Sequence, residues 1–289
     1  MIQGSYVALI TPFHPDGSVH FEKLRELCEW HVQQGTDGVV ALGTTGESST
    51  MTHEEDDAVA QCVLDTIAGR IPVIVGSGSN DTNTAIMKSK RYAAMGADGL
   101  LVITPYYNQA NTQGMIRHFS AVADSVEKPI ILYNVPGRTG CNLPLDALEV
   151  LSRHENIRGI KEASGNISYV AKVARLVSDT FCMVSGNDDM IVPVMSLGGS
   201  GVISVFANLC PAQCHEITAS YLAGDVARAR DLQLKYLDLI NALFVEVNPI
   251  PIKEAMNLAG MNVGGYRLPL CDISEGGRAV LRKAMEILK

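Results

Sequence analysis

The chain contains ten lysines, and nine of them lie in stretches whose pattern is helical or turn-like. The tenth, Lys161, sits inside the apolar run Ile157-Arg-Gly-Ile-Lys-Glu-Ala-Ser164. A lysine exposed to water titrates near about 10.4, so only ~0.1% is free amine near neutral pH. Removing an amine from water disfavours its ammonium form. The free amine can then attack a carbonyl carbon and form a Schiff base. The plainer reading is a lysine paired with a buried carboxylate; the adjacent Glu162 would project to the opposite side of a strand. Both readings are open from spacing alone.

Other reactive groups recur at the ends of similar apolar runs. Leu132-Tyr133-Asn134 is followed by Val-Pro-Gly-Arg138-Thr-Gly140. Tyr133 offers a phenol that can move protons at a reacting carbon, or a packed aromatic with a satisfied hydroxyl. Arg138 sits on a Pro/Gly loop, where a guanidinium either grips a carboxylate with two hydrogen bonds or is simply solvated. Leu42-Gly43-Thr44-Thr45-Gly46-Glu47-Ser48 combines small residues with hydroxyls. Such a segment lets a ligand approach the backbone, and a following helix N-terminus would supply free N–H groups. A simple Ser or Thr helix cap is the alternative. Thr104-Pro-Tyr106-Tyr107-Asn108 presents two adjacent phenols that face opposite ways if extended. An amine, phenols, threonines and an arginine together fit carbonyl chemistry on a small anionic keto acid.

The elements that must position these groups alternate regularly. Strand-like apolar runs are expected at Tyr6–Thr11, Gly38–Leu42, Pro72–Gly76, Gly99–Thr104, Ile130–Asn134, Ile157–Glu162, Cys182–Ser185 and Gly201–Phe206. Nearly continuous apolar strands suit a parallel sheet covered on both faces. Helical periodicity separates them, with Phe21, Leu24, Cys28 and Val32 on one face, Ala58, Cys62 and Val63 on another, and Ile86, Tyr92 and Met95 on a third. Gly35-Thr-Asp-Gly38 and Gly96-Ala-Asp-Gly99 each close a helix and lead into a strand. The expected fold is α/β, a (β/α)8 TIM barrel, whose reactive residues gather at the C-terminal ends of the strands. After the eighth strand only helical segments remain, near 212–222, 224–244, 251–260 and 274–288. The expected division is therefore a barrel over 1–210 and a C-terminal helical subdomain over 211–289. An open doubly wound sheet is the rival, but the first strand leads into Thr11-Pro12-Phe13 rather than a glycine-rich dinucleotide turn.

Composition agrees with a packed enzyme. Of 289 residues, 47% are apolar and 19% charged, enough to bury a large core. The formal net charge of −8 argues against a nucleic-acid or anionic-membrane footprint. The seven cysteines, most of them in apolar segments, are expected to be reduced core residues. Cys210, Cys214 and His215 are the one cluster with any look of a metal site, and Pro211 favours a helix start there instead. No secretory signal or membrane-length apolar run is visible, so the cytoplasm is the expected compartment.

Four of these segments, in register, carry a resemblance. Gly43-Thr-Thr-Gly-Glu-Ser48, Pro105-Tyr-Tyr-Asn108, Tyr133-Asn-Val-Pro-Gly-Arg138-Thr and Gly159-Ile-Lys161-Glu-Ala-Ser164 resemble the motifs of the 4-hydroxy-tetrahydrodipicolinate (dihydrodipicolinate) synthases. These are lyases of the pyruvate-dependent Schiff-base class I aldolase superfamily. The resemblance runs along the whole chain and includes Asn248-Pro-Ile-Pro-Ile-Lys253. It implies that Lys161 condenses with pyruvate and that the resulting enamine attacks L-aspartate 4-semialdehyde, in diaminopimelate and lysine biosynthesis. It implies a proton relay of Thr44, Tyr133 and Tyr107, with the tyrosine matching Tyr107 supplied by a neighbouring subunit of a homotetramer, a dimer of dimers. Thr45 would hold the pyruvate carboxylate and Arg138 that of the semialdehyde, with Gly186 and Ile203 offering carbonyls near Lys161. No cofactor or metal is expected.

Arg138 separates this reading from relatives that share the lysine and tyrosine. Sialic acid (N-acetylneuraminate) lyases and keto-sugar-acid aldolases generally lack an arginine in that loop. A non-catalytic binding barrel is a further alternative, and it would predict loss of a relay residue. Some members of the resembled family are inhibited by lysine at a cleft between subunits. Ser48, Ser49, His53, Asn80 and Tyr106 match that effector site, whereas Asp56 and Thr84 depart from the form associated with strong inhibition.

Overall fold

Eight short parallel strands close into a barrel in chain order: β1 (Gly4–Ala8), β2 (Gly38–Ala41), β3 (Val73–Gly76), β4 (Gly99–Ile103), β5 (Ile130–Asn134), β6 (Ile157–Glu162), β7 (Cys182–Ser185) and β8 (Gly201–Ser204). This is the expected TIM-barrel fold, seen in a computed structural model that describes residues 2–289. The strands are rich in apolar residues because nearly all their positions are buried.

Five of the strands depart from the expected bounds, β2, β3 and β4 by one residue at one end, whereas β1 and β8 stop two or three residues short for a local reason. β1 stops at Ala8 because the next polar groups leave the ladder: Ile10 N–H donates to Asn208 Oδ1 at 3.0 Å, and the Thr11 hydroxyl donates to the Gly46 carbonyl at 2.7 Å. β8 stops at Ser204, where Ala207 N–H donates to Ser204 Oγ at 2.8 Å and the chain tightens into the 3₁₀ turn Phe206–Asn208.

The chain groups into two compact units. One comprises the N-terminal residues to Gly4 with Pro72–Ile203. Its strand register sets Tyr133 beside Lys161 and Asn134 beside Glu162. Its helices cover the strands with apolar faces, as in Thr112–Asp124, which buries Met115, Phe119, Val122 and Ala123. Helix Thr82–Met95 buries Ala85, Lys88, Ser89 and Tyr92 rather than Ile86 and Met95. It ends as expected on Gly96 in the left-handed region, at φ 102°.

The other unit comprises Ser5–Ile71 and Ser204–Lys289. Helix Phe21–Gln33 buries Leu24, Leu27, Cys28 and His31, so the core face is turned from the expected Phe21 and Val32. Helix His53–Ile67 buries Cys62 and Val63 as expected, but leaves Ala58 exposed and buries Val59 instead. Thr52 and Glu55 form a reciprocal capping box at its start. The C-terminal helices are Pro211–Leu222, Val226–Lys235, Leu237–Ala242, Ile250–Leu258 and Glu275–Ala284. The helix expected over 224–244 is two helices, separated at Tyr236. No helix among the described residues is long and apolar enough to cross a membrane.

Candidate active site

Lys161 lies one residue before the end of β6, and its side chain is only 6% exposed. Its Nζ stands 4.4 Å from the centre of the Tyr133 ring, on the neighbouring strand. Among the described residues Lys161 makes no hydrogen bond or ion pair, so the paired-lysine reading is not what this strand end holds. An amine left without a carboxylate is available to a carbonyl. Space beside it is kept by glycine: a Cβ added at Gly186 would come within 3.0 Å of Lys161 Cε and 2.6 Å of Ala163 Cβ. Gly186 N–H donates to the Glu162 carbonyl at 2.7 Å, which ties the chain after β7 to the end of β6. Ile203 is fully buried in β8.

Arg138 is exposed on the single helical turn Pro136–Thr139 that follows β5. Proline at the first position suits that turn, and Gly140 closes it at φ 75°. Tyr107 is the most open aromatic of the unit, 91% exposed and at φ 68°. Tyr106 is also exposed, and the Asn80 carbonyl accepts from Asn108 Nδ2 at 3.0 Å on the same loop. A left-handed conformation is uncommon for a tyrosine and marks a loop set by its context.

In the other unit the segment Gly43–Ser48 does not run straight into a helix. It forms two 3₁₀ turns, Thr44–Gly46 and Ser48–Thr50, hinged on Glu47 at φ 56°. The long helix begins only at His53, capped by Thr52, so the expected helix N-terminus beside the threonines is displaced down the chain. Thr44 is half-buried; Thr45 is buried, and its hydroxyl accepts from Asn248 Nδ2 at 3.0 Å. Ser48 donates to Asp56 Oδ2 at 2.9 Å, Ser49 is exposed, and His53 is an exposed first residue of its helix. Asp56, one of the two residues that depart from the strongly inhibited form, thus occupies the Ser48 hydroxyl. Thr84, the other, donates to Asp81 through both N–H and hydroxyl.

Three groups escaped the sequence reading. Lys253, taken there as one helical lysine among many, is fully buried and ion-paired to Glu47 Oε1 at 2.5 Å. It also donates to the Gly265 carbonyl at 2.8 Å and lies over the Phe13 ring at 4.2 Å. Burial lowers its ammonium to about 8, against the pull of Glu47, whose charge favours the proton. Asn248 and Lys253 share the Asn248–Lys253 motif, which was noted without a role. Glu162 is buried at the end of β6 and accepts from Asn134 Nδ2 at 3.0 Å and from Ser164 N–H at 2.9 Å. Burial pushes its carboxyl up from the ordinary glutamate value, and these hydrogen bonds partly offset the push. A carboxylate directly after Lys161 in an apolar run is the signal that points to it.

Among the described residues Cys210, Cys214 and His215 do not bring their ligand atoms together. Cys210 and Cys214 are buried free thiols, and burial pushes Cys210 up to about 12. His215 instead pairs with Asp37 at 2.8 Å. Cys271 is exposed, unlike the buried cysteines expected from the sequence. His14, His20 and Glu22 are the one trio of metal-binding side chains that converges within 4.8 Å among the described residues.

Comparison with known proteins follows the same lines. The model of the dihydrodipicolinate synthetase family matches residues 1–288. A 4-hydroxy-tetrahydrodipicolinate synthase of Thermoanaerobacter sp. is 51% identical over 286 residues, covering 99% of this chain and 96% of its own. Among solved structures, a chloride-inhibited dihydrodipicolinate synthase of Acinetobacter baumannii, complexed with pyruvate, superposes with a TM-score of 0.97 at 42% identity over 99% of both chains. One from Cyanidioschyzon merolae with lysine bound superposes with a TM-score of 0.95 at 38% identity, over 99% of this chain and 97% of its own.

Proposed function

As the chain belongs to the dihydrodipicolinate synthetase family, we propose that it is a 4-hydroxy-tetrahydrodipicolinate synthase, condensing pyruvate with L-aspartate 4-semialdehyde through a Schiff base on Lys161. The observation that carries this is the buried amine of Lys161, against the Tyr133 ring and without an ion-pair partner. The pyruvate bound in the Acinetobacter baumannii relative supports the choice of keto acid.

Lys161 Nζ attacks the keto carbon of pyruvate, and loss of water gives the imine. A methyl proton leaves and the enamine forms. Its terminal carbon attacks the aldehyde carbon of the semialdehyde, whose oxygen takes a proton and becomes the 4-hydroxyl. The substrate amino group then attacks the imine carbon and displaces Lys161, closing the ring. Thr44, Tyr133 and Tyr107 pass the protons, Thr45 holds the pyruvate carboxylate, Arg138 holds the carboxylate of the semialdehyde, and Gly186 and Ile203 offer backbone carbonyls. Tyr107, almost wholly exposed on its own chain, fits a residue given to a neighbouring copy, and a homotetramer in the cytoplasm is the proposed working form. The chemistry calls for no cofactor or metal.

The test is pyruvate consumption by the purified protein, with and without the semialdehyde, in the presence of a chelator. Consumption that requires the semialdehyde and ignores the chelator supports the proposal. Consumption of a longer keto acid alone would move the assignment to an aldolase of the sialic acid or keto-sugar-acid kind.

A further inference from the structure

The loop that carries Arg138 is held at its far leg by a buried polar clamp. Asn134 and Glu162 end neighbouring strands, face each other in register, and are 0% and 2% exposed. Asn134 Nδ2 donates to Glu162 Oε1 at 3.0 Å and to Asn142 Oδ1 at 3.2 Å. Asn134 Oδ1 accepts from Leu143 N–H at 2.9 Å. The Leu143 carbonyl in turn accepts from the Tyr169 hydroxyl at 2.6 Å, from helix Ile167–Ala174. Ser164 N–H, just past Lys161, donates to the same Glu162 oxygen at 2.9 Å.

Both ends of the loop are thereby fixed. Its near leg is the turn Pro136–Thr139, in which Arg138 N–H and Thr139 N–H both donate to the Val135 carbonyl, at 2.9 and 3.1 Å. Thr139 Oγ1 donates onward to the Cys141 carbonyl at 2.9 Å. Its far leg, Asn142–Leu143, is tied to the strand ends by the clamp. Stability by itself does not favour this arrangement, since a buried carboxylate carries a desolvation cost that apolar residues would avoid. A polar network whose members are all engaged gives a single geometry instead.

We propose that Asn134, Glu162 and Tyr169 are positioning residues for Arg138, fixing the height at which its guanidinium meets the carboxylate of the second substrate. They act through the loop and touch no reacting atom. This rests on the proposed reading of Arg138 as the semialdehyde-binding group. A displacement of about 1 Å at a substrate clamp costs on the order of 100-fold in rate, so a loosened loop is read out in the kinetics of one substrate only.

Tyr169→Phe removes one hydroxyl and leaves the ring. Its expected effect is a fall of roughly 5- to 30-fold in kcat/KM for the semialdehyde, as for one lost hydrogen bond and a small shift of the clamp. The KM for pyruvate and the borohydride trapping of pyruvate are expected to stay unchanged. Glu162→Leu is expected to give a larger loss of the same kind, and Glu162→Gln, which keeps an oxygen to accept both bonds, to recover most of it. In an Arg138→Ala background Tyr169→Phe should add less than about 2-fold, because the group it positions is gone. Equal losses for both substrates, an unchanged kcat/KM for the semialdehyde, or additive effects with Arg138→Ala would each overturn the positioning role. Failure of the unaltered protein to trap pyruvate, or to consume it with the semialdehyde, would instead overturn the functional reading and this proposal with it.

Discussion

Lys161 and Lys253 are both taken out of water, yet the two units hold them in opposite ways. Lys253 has Glu47 at 2.5 Å, the Gly265 carbonyl at 2.8 Å and the Phe13 ring at 4.2 Å, and is fully enclosed. Lys161 has the Tyr133 ring at 4.4 Å, no ion pair or hydrogen bond among the described residues, and a trace of exposure. Burial lowers Lys253 to about 8 against the pull of Glu47, yet that amine is already held by its partners. The difference teaches that availability decides: a reactive lysine needs a way in and no resident carboxylate, whereas Lys253 is enclosed and already engaged. Its ion pair braces Glu47, the left-handed hinge between the turn that holds Thr44 and Thr45 and the following turn Ser48–Thr50.

The comparison breaks most sharply at Lys161. Replacing it by Ala or Met is expected to lower kcat by at least about 1,000-fold, because the covalent route is lost. A circular dichroism spectrum and melting point close to the unaltered protein would show that the loss is chemical. Lys253→Met should behave in reverse, leaving Glu47 as an uncompensated buried charge and destabilising by about 3–5 kcal/mol in urea unfolding. The Glu47→Gln/Lys253→Met double variant should recover much of that, and failure to recover would show that the pair is not the source of the loss.

Arg138→Ala is expected to raise the KM for the semialdehyde by roughly 10- to 100-fold, as for loss of a charged hydrogen-bonded clamp, with pyruvate trapping intact. Steady-state kinetics with each substrate varied in turn measures it.

Acid acts more gradually, in the unit of Lys253. His31 is fully buried, and burial lowers its imidazole to about 3. The unfolded ring takes a proton near about 6.5 while the folded ring does not, so stability present above that pH is lost as pH falls toward about 3. The slope is at most about 1.4 kcal/mol per pH unit. Glu55 adds to the loss lower down, since the Arg267 hydrogen bonds hold its carboxyl at about 2. Its contribution is present above the ordinary glutamate value and fades as pH falls toward about 2. Urea midpoints from pH 7.5 to 3.5 should show this slope, and His31→Gln should flatten it above pH 4.5.

Much of this architecture is legible in the residues. The alternating apolar runs yield all eight strands, and β5, β6 and β7 have the expected bounds, because buried parallel strands need continuous Val, Ile and Leu. Lys161 stands out for the same reason, as a charge inside such a run. Strand ends at Ala8 and Ser204 were hidden, since they are set by Asn208 and by a 3₁₀ turn far along or just beyond the strand. The helix faces were misread by a position or two where His31, Lys88 and Ser89 turned inward, polar residues that periodicity assigns to solvent. Glu47–Lys253 spans 206 positions of chain, and no local pattern announces a pairing of that reach. The Asn134–Glu162 clamp is hidden for another reason, since it joins the last residues of neighbouring strands, and the cross-strand register that pairs them is not written in either segment.

The central claim is that Lys161, and not the more deeply buried Lys253, forms the Schiff base. The direct measurement is borohydride reduction of the protein in the presence of pyruvate, followed by mass mapping of the modified peptide. The account predicts one reduced pyruvyl adduct per chain, on Lys161, with Lys253 unmodified. An adduct on Lys253, or none on a folded protein, would contradict it.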